Sequence, residues 1–414
     1  MKQLVILWLL LSAFMNAGAQ GNDLTEQQGA HTPMMGWSSW NQFHVGISEK
    51  IIKAQADALV ASGMKAAGYR FINIDDGFFG GRDKDGNLLF NSKRFPAGMA
   101  AIARYIHSKG LSAGIYSDAG INTCGSYWDH DSISIGMGLY GHEKADLHRL
   151  LKEWGFDFIK VDWCGGDWLG LDEQTRYTEI GRLIQEIKPG ALYNVCRWKF
   201  PGKWVVHIAN SWRVSADISA SFESILKIID LNADLWPYSG PGHVNDMDML
   251  QVGRGMSFEE DKAHFSMWCM LNSPLLAGND LTRMSKETRS ILTNREMIAI
   301  NQDPLVYQAR RLADYGDQEV WARPLKHTMS GEIAIALLNR SATKKNISFN
   351  MDDLSIDSKK GYTLHNIWEQ KDIAITRQAV QSFEVPGHGV IVLIAKGVSL
   401  PYNVFQYATG KQPQ

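Results

Sequence analysis

Two kinds of hydrophobic pattern alternate along the first three quarters of the chain. Short apolar runs, rich in β-branched and aromatic residues, end on polar residues, which is typical of strands buried on both faces. Between them, apolar residues recur every three or four positions, as in amphipathic helices. The predicted strands lie within residues 31–43 and at residues 69–74, 111–116, 156–161, 191–195, 211–214, 245–251 and 274–277.

The helical pattern fills the gaps between these strands, often with glycine at the helix end. About eight strand and helix alternations over roughly 270 residues predict a (β/α)8 TIM barrel. A doubly wound sheet would need a GxGxxG phosphate turn after its first strand, and the sequence has none there. The predicted helices are residues 49–63, 96–110, 141–154, 172–188, 257–270 and 285–301.

The pattern changes after Pro304. Short alternating runs separated by Gly, Asp, Asn and Ser indicate an antiparallel β-sandwich. We expect a domain boundary near Gln308, with the catalytic barrel in residues 20–307 and the C-terminal β-sandwich domain in residues 308–414. Because the second segment contains no cluster of candidate catalytic residues, it is expected to support the barrel. Its predicted strands are residues 320–324, 333–339, 345–351, 362–368, 383–385 and 389–395.

The N-terminus has the pattern of a secretory signal peptide. A basic start, an apolar run over residues 4–14 and small residues at 17–19 predict a signal peptide over residues 1–19, with cleavage before Gln20. The apolar run is too short to span a membrane, and no later run is long enough. The protein is therefore expected to be exported, either periplasmic or secreted.

Composition narrows the possible partners. The chain has 414 residues, 45% of them hydrophobic, and a net charge of −2 without any basic run, so nucleic acid and anionic membranes are poor candidates. Its 14 Trp and 13 Tyr are many for this length. Aromatic rings pack on sugar C–H faces as well as on each other, so this excess permits a carbohydrate site, although core packing is the usual explanation.

Acidic residues collect where the predicted strands end, which in a barrel is the catalytic face. Paired carboxylates without a metal suit glycoside hydrolysis. A metal-dependent hydrolase would need clustered histidines, but His142 and His148 are six residues apart and His243 stands alone, so no metal or cofactor is expected. The polar strand-end residues are Asp75, Asp76, Asp118, Asp162, Asp217, Asp246 and Asp248, with Lys160 and Arg213.

Asp162 is the first candidate among these residues. It follows a buried apolar run, and Lys160 lies two residues earlier on the same side of the strand, where an inward lysine needs a partner to offset its desolvation. A nearby cation favours the ionised form of a carboxylate. The alternative is a strand-end aspartate that only caps the following turn.

Ordered motifs along the barrel resemble glycoside hydrolase family 27, the α-galactosidase and α-N-acetylgalactosaminidase family. The resemblance implies a (β/α)8 barrel with a C-terminal β domain and an exo-acting, retaining hydrolase that releases terminal α-galactose by double displacement from an oligo- or polysaccharide. The motifs are MGWSSWNQF from residue 35, INIDDGF from 72, GIYSDAG from 114, FIKVDWC from 158, SWRVSADI from 211, GHVNDMDML from 242, LNSPLLAGNDL from 271 and NQDPL from 301.

The resemblance also implies roles for single residues. Asp162 matches the family nucleophile and Asp217 the acid/base, whose partial desolvation is expected to keep its proton near neutral pH. For Asp118, Asp246 and Asp248, the alternative to substrate contact is a role in a turn or in supporting a neighbouring residue. For Tyr116 and Trp163, the alternative is core packing. The candidate substrate-binding residues are Trp37 as pocket wall, Asp75, Asp76, Tyr116, Lys160, Cys196, Arg197, Trp198, Arg213 and Asp246.

Three departures from the family pattern bear on the substrate. Arg197, in NVCRW, stands where glutamate is frequent and where the C2 substituent of the sugar is read. Residues 126–143 replace a shorter turn, and Phe78 replaces a common tryptophan. A β-L-arabinopyranosidase or an α-N-acetylgalactosaminidase with the same mechanism therefore stays open, as does a non-catalytic sugar-binding protein. The sequence does not indicate an oligomeric state.

The four cysteines fall in a compartment that permits disulfides. Cys124 and Cys164 lie just beyond the ends of adjacent predicted strands, so we predict a disulfide between them. Cys196 and Cys269 are then expected to be free thiols.

Overall fold

The computed structural model describes residues 32–326, 331–400 and 404–405. The predicted signal peptide, residues 1–19, lies outside these ranges. Among the described residues, no helix is both long and apolar enough to cross a membrane.

Eight parallel strands form one sheet, in which the first seven strands pair in chain order and the eighth pairs with the first. A bridge between Leu250, after the seventh strand, and Ala277 in the eighth joins the two edges of the sheet. This order confirms the predicted (β/α)8 barrel. The strands are β1 Met35–Ser38, β2 Phe71–Ile74, β3 Ser112–Asp118, β4 Phe158–Asp162, β5 Leu192–Val195, β6 Ser211–Arg213, β7 Val244–Asp246 and β8 Leu275–Ala277.

Helices separate the strands, and most begin at a side-chain cap. Ser257 and Glu260 form a reciprocal capping box, and single acceptors such as Asp172 and Ser221 cap other helices. The longer helices are Glu49–Ala61, Met99–Ser108, Glu143–His148 continued by a wider turn over Arg149–Glu153, Glu173–Ile187, Phe222–Asn232, Phe258–Met270, Lys286–Leu292 and Arg295–Asn301.

The helix predicted over residues 285–301 is in fact two helices. The Asn294 side chain accepts hydrogen bonds from the backbone N–H groups of Glu296 and Met297, so it caps a new helix. The chain turns at this point, and the prediction of one continuous helix was wrong. A short antiparallel hairpin, Phe79–Arg82 with Leu88–Phe90, follows β2 and was not predicted.

An apolar layer fills the barrel below its mouth. Phe158 and Lys160 are two residues apart on β4, so both side chains point inward, the phenylalanine at the bottom and the lysine at the top. The polar groups at the strand ends therefore lie directly above an apolar layer. The buried cluster consists of Met34, Phe71, Phe158, Leu192, Met249 and Leu276.

The C-terminal region is all β. A six-stranded antiparallel sheet with the order β9-β10-β11-β16-β13-β14 packs with the pair β12-β15, as predicted for a β-sandwich. The strands are β9 Arg310–Asp314, β10 Gln318–Pro324, β11 Glu332–Asn339, β12 Lys345–Asn350, β13 Tyr362–Asn366, β14 Lys371–Thr376, β15 Val380–Val385 and β16 Val390–Gly397.

Buried polar contacts join this region to the barrel. The fully buried Arg323 donates to the carbonyl oxygen of Cys269 (3.1 Å) at the end of a barrel helix. Arg340 pairs with Asp230 (2.7 Å) and with the buried Glu319 (2.6 Å). These contacts join the C-terminal region to the helices Phe222–Asn232 and Phe258–Met270 of the barrel.

Candidate active site

A cleft opens at the carboxyl ends of the barrel strands. Carboxylates, one lysine and aromatic rings line it together. The lining residues are Trp40, Asp75, Asp76, Tyr116, Cys124, Trp128, Lys160, Asp162, Trp198 and Asp217.

Lys160 lies between two carboxylates on the inner side of the cleft. Its Nζ is 3.1 Å from Asp75 Oδ2 and 3.7 Å from Asp162 Oδ2, and it lies 5.4 Å from the centre of the Tyr116 ring. Burial alone would lower the pKa of Lys160, but the two carboxylates outweigh it and raise that pKa. The lysine therefore stays charged and compensates both aspartates.

Asp162 ends β4 and is almost fully buried. Burial raises its pKa above the ordinary value, although Lys160 opposes this and Asp75 adds to it. Within the described part of the chain its Oδ1 makes no hydrogen bond. One carboxylate oxygen, Oδ2, is thus held beside the lysine, and the other, Oδ1, is buried.

Asp217 lies at the rim, with 58% of its side chain exposed. Its Oδ1 accepts a hydrogen bond from Arg213 (3.0 Å). Burial favours a higher pKa, but the charges of Arg213 and Lys160 outweigh it, so the pKa of Asp217 is lowered. The expectation that desolvation keeps the proton on Asp217 was wrong for the empty cleft, because the arginine contact dominates.

Arg213, at the end of β6, links the rim to the barrel interior. The same guanidinium nitrogen that binds Asp217 lies 2.9 Å from Asp248 Oδ2. Asp246 accepts from Asn194 Nδ2 (2.8 Å) and from the backbone N–H of Asp248 (2.9 Å), below the cleft. Asp246 and Asp248 therefore have the supporting positions that were the alternative to substrate contact.

Asp76 and Asp118 hold the loop after β3. Both are fully buried. Asp76 accepts from the backbone N–H groups of Gly125 (2.7 Å) and Gly77 (2.7 Å), and burial, only partly offset by such bonds, raises its pKa to about 7. Asp118 accepts from the N–H groups of Gly120 and Cys164, the turn role foreseen for it.

A disulfide joins Cys124 to Cys164, the pair that the sequence predicted. It ties the loop after β3 to the loop after β4, and Cys124 contributes to the wall of the cleft. Cys196 and Cys269 are buried free thiols. Cys196 Sγ lies 3.7 Å from Arg213 beneath the cleft, so its thiol supports the arginine and does not line the cleft.

Two candidate residues point away from the cleft, and a neighbouring aromatic residue takes each place. Trp37 is fully buried and donates to the Asn279 carbonyl (2.8 Å), whereas Trp40 lines the cleft. Arg197, expected over the sugar C2 position, binds Glu173 (2.8 Å) outside the lining set, and Trp198 lies at the wall instead.

Trp128 was not among the predicted site residues. Both Trp37 and Trp40 could line a pocket or fill the barrel floor by sequence, and the resemblance favoured Trp37, because the motif does not show which of the two side chains points into the cleft. Trp128 lies in the segment 126–143, whose departure from the family pattern was noticed but whose side chains could not be placed. A tryptophan at the start of such a segment was the available signal.

Comparison with known proteins gives matches over nearly the whole described chain. Residues 32–303 match the family described as alpha galactosidase A, and residues 315–395 match the alpha galactosidase C-terminal beta sandwich domain. Alpha-galactosidase A of Cellvibrio japonicus (strain Ueda107) is 41% identical, over 95% of this chain and 98% of the relative.

Two further matches extend this range. Alpha-galactosidase of Cyamopsis tetragonoloba is 36% identical, over 88% of this chain and 86% of the relative. The crystal structure of alpha-galactosidase I from Mortierella vinacea superposes with a TM-score of 0.83 at 30% identity, over 90% of this chain and 99% of the other.

Proposed function

The chain belongs to the alpha galactosidase A family, and from that premise we propose that it is an exo-acting, retaining α-galactosidase. The observation that carries the proposal is that two aspartates in different environments line the same cleft. Asp162 is buried on the inner wall and Asp217 is exposed at the rim, where a leaving group would emerge.

In the first step, the Asp162 carboxylate attacks the anomeric carbon, and the bond to the glycosidic oxygen breaks. Asp217 gives its proton to that oxygen, and the aglycone leaves as an alcohol. The product is a glycosyl ester of Asp162. The ester carries no negative charge, so Lys160 no longer has to compensate a charge on Asp162. In the second step, water attacks the same carbon, Asp217 takes its proton, and Asp162 is released as a carboxylate.

The low pKa of Asp217 belongs to the empty cleft. A bound sugar would cover the exposed carboxyl and exclude the water that stabilises its charge, which raises its pKa towards the proton-donor range. Esterification of Asp162 then removes a negative charge from the cleft. Because like charges raise each other's pKa, this loss lowers the pKa of Asp217 and prepares it to act as a base.

The inner wall suits a galactose ring. Asp75 and Lys160 offer an acceptor and a donor side by side, and they bind adjacent sugar hydroxyls. Asp76 follows Asp75 along the chain, and its two oxygens accept from backbone N–H groups, so it supports the wall beside them. The rings of Trp40 and Trp198 offer apolar surfaces to the C–H face of the sugar. The substrate we propose is a terminal α-galactose on an oligo- or polysaccharide.

Release of nitrophenol from a panel of p-nitrophenyl glycosides tests the sugar, and NMR of the first-formed product tests the stereochemistry. We expect hydrolysis of the α-galactoside, with α-galactose as the initial product. Faster turnover of the β-L-arabinopyranoside or the α-N-acetylgalactosaminide would replace galactose as the substrate. Inverted product would overturn the double displacement, and no turnover on any glycoside would favour a sugar-binding protein.

Two further parts of the proposal concern the whole chain. We place the domain boundary near Gln308, between the last barrel helix and β9. We also infer export across the cytoplasmic membrane. The disulfide between Cys124 and Cys164 supports this, because such bonds persist in oxidising compartments.

A further inference from the structure

Two tryptophans beside the cleft are mostly exposed. Trp128 is 72% exposed and Trp168 is 83% exposed, and no other tryptophan among the described residues is classed as exposed. Trp128 also lines the cleft, together with Asp162 and Asp217. Scattered apolar residues on a surface need no explanation, but large exposed rings at the mouth of a ligand cleft do.

The disulfide ties the two rings to each other. Trp128 lies four residues after Cys124, and Trp168 lies four residues after Cys164. Tyr127 crosses from one loop to the other, with its ring edge-on to Trp168 at a centroid distance of 5.7 Å. The three rings therefore stand close together on two segments that the disulfide joins, with Tyr127 and Trp168 in contact and Trp128 next to Tyr127 along the chain.

Polar contacts fix the backbone on which both exposed rings stand. Asp129, next to Trp128, accepts from the Val45 backbone N–H (3.1 Å). Asp167, next to Trp168, accepts from Trp163 Nε1 (2.9 Å) and pairs with Arg197 (3.2 Å). The rings themselves remain open to solvent. A rigid base with exposed faces is a pre-organised binding surface, because little ordering remains to oppose binding.

We propose that Trp128, Tyr127 and Trp168 form an aglycone subsite that binds the neutral sugar units to which the galactose is attached. This rests on the proposed function, in which the leaving oxygen emerges at Asp217 on the rim. The sugar on that oxygen must then lie outside the cleft, and Trp128 is the ring that reaches both places. The next unit along the aglycone extends towards Trp168.

The chemistry of the surface selects a neutral pyranose. Aromatic faces bind C–H groups by dispersion and water exclusion, and they leave the sugar hydroxyls free to bind solvent. The carboxylates next to both tryptophans, Asp129 and Asp167, are already paired with groups of this chain. A galactose carried on an oligosaccharide thus gains contacts that a galactoside with a small alkyl aglycone does not.

The test compares aglycones of increasing length on the full-length protein. For each variant, kcat/KM is measured on α-galactosyl fluoride, which has no aglycone, and on melibiose and α-galactosyl mannotriose. Each oligosaccharide value is divided by the fluoride value of the same variant, so changes in the galactose pocket cancel. The wild-type ratio should rise from melibiose to the mannotriose derivative.

Trp168→Ala should lower the mannotriose ratio about fivefold to tenfold and the melibiose ratio less, since a lost aromatic contact has roughly this size. Trp128→Ala should lower both ratios. Trp168→Tyr should restore most of the loss because a ring remains. Tyr315→Ala removes another exposed ring (65% exposed) in the C-terminal region and should leave every ratio unchanged.

Unchanged mannotriose ratios in both Trp→Ala variants, with melting temperatures equal to wild type, would overturn the subsite. If the same variants instead lost a self-association seen by light scattering, the rings would contact a second copy, which also overturns it. Failure of wild-type protein to hydrolyse α-galactosyl fluoride would contradict the proposed function itself. The two failures are therefore distinguishable.

Discussion

The inner wall and the rim of the cleft are built differently. On the inner wall, Asp75 and Asp162 stand at or just beyond strand ends and are buried, and the mostly buried Lys160 compensates their charges. At the rim, Asp217 stands on a loop and Trp128 ends the short helix Cys124–Trp128 in the connection after β3, and both are mostly exposed. Groups that must hold one sugar in one pose are thus fixed by the sheet, and groups that meet a variable leaving group are carried by loops.

Charge follows the same division. Burial raises the pKa of Asp162 even though Lys160 opposes the shift. The exposed Asp217 shows the reverse, because the charge of Arg213 outweighs burial and lowers its pKa. Depth in the cleft therefore decides which electrostatic effect dominates. Each prediction below alters one side of this comparison.

Asp162→Asn should have the largest effect, a loss of at least about 10⁴-fold in kcat on every α-galactoside. An amide cannot form the glycosyl ester, so even a good leaving group cannot restore the first step. Initial rates on galactosides with good and poor leaving groups measure this, with the melting temperature as a check of folding. Activity near wild type on any of these substrates would remove Asp162 from the nucleophile role.

Asp217→Asn should lose about 10²- to 10⁴-fold on poor leaving groups and much less in the first step with good ones, which need little protonation. Added azide should then accelerate turnover of a good substrate by attacking the glycosyl ester without base assistance. Formation of α-galactosyl azide, followed by NMR, is the measurement. Equal losses on all leaving groups, with no response to azide, would contradict the acid/base assignment.

Much of the fold could be predicted because strands buried on both faces leave continuous apolar runs. All eight barrel strands overlap the predicted runs. The exposed strand Lys371–Thr376 and the half-polar hairpin Phe79–Arg82 with Leu88–Phe90 have no such run, and neither was predicted. The helix break at Asn294 depends on a single cap, which a periodic pattern does not show.

The sequence could predict a site residue only where its position along a strand determines its place in the barrel. Strand ends placed Asp75, Asp76 and Asp162 together, because parallel strands end at one edge of the barrel. Side-chain direction was not readable in the same way. Trp198 has a positive φ of 63°, which turns its ring into the cleft while its neighbour Arg197 points outward. Such a backbone conformation is rare for a bulky residue and gives no sequence signal.

Removal of the disulfide should show how much the cross-link between the loops after β3 and β4 stabilises the fold. Cys124 and Cys164 are 40 residues apart, and loss of such a cross-link destabilises a fold by about 2–4 kcal/mol. The Cys124→Ala/Cys164→Ala variant should show this difference in urea unfolding. Thiol labelling of denatured, unreduced wild-type protein should modify Cys196 and Cys269 alone. Labelling of four thiols, or equal stability, would contradict the cross-link.

Asp76→Asn should change how stability depends on pH. The pKa of Asp76 is about 7 when folded and near 3.8 when unfolded, so between these values the folded state holds a proton that the unfolded chain has lost. Stability from this group is therefore lost as pH rises from about 4 to about 7. In that window, the slope of the unfolding free energy against pH should differ between the variant and wild type by the equivalent of about one proton. Urea unfolding at several pH values measures this slope. An unchanged slope would show that Asp76 is ionised when folded.

Arg197→Met should have the smallest effect and decide between two roles for this residue. If its guanidinium serves only to bind Glu173 and Asp167, the ratio of activity on α-galactoside to α-N-acetylgalactosaminide should stay within about twofold of wild type. A large change in that ratio would indicate that Arg197 contacts the sugar at C2. Loss of the Asp167 contact should instead lower the mannotriose ratio about twofold or threefold, because Trp163 still holds Asp167. A rim anchor thus affects the aglycone, whereas an inner-wall residue would affect the galactose itself.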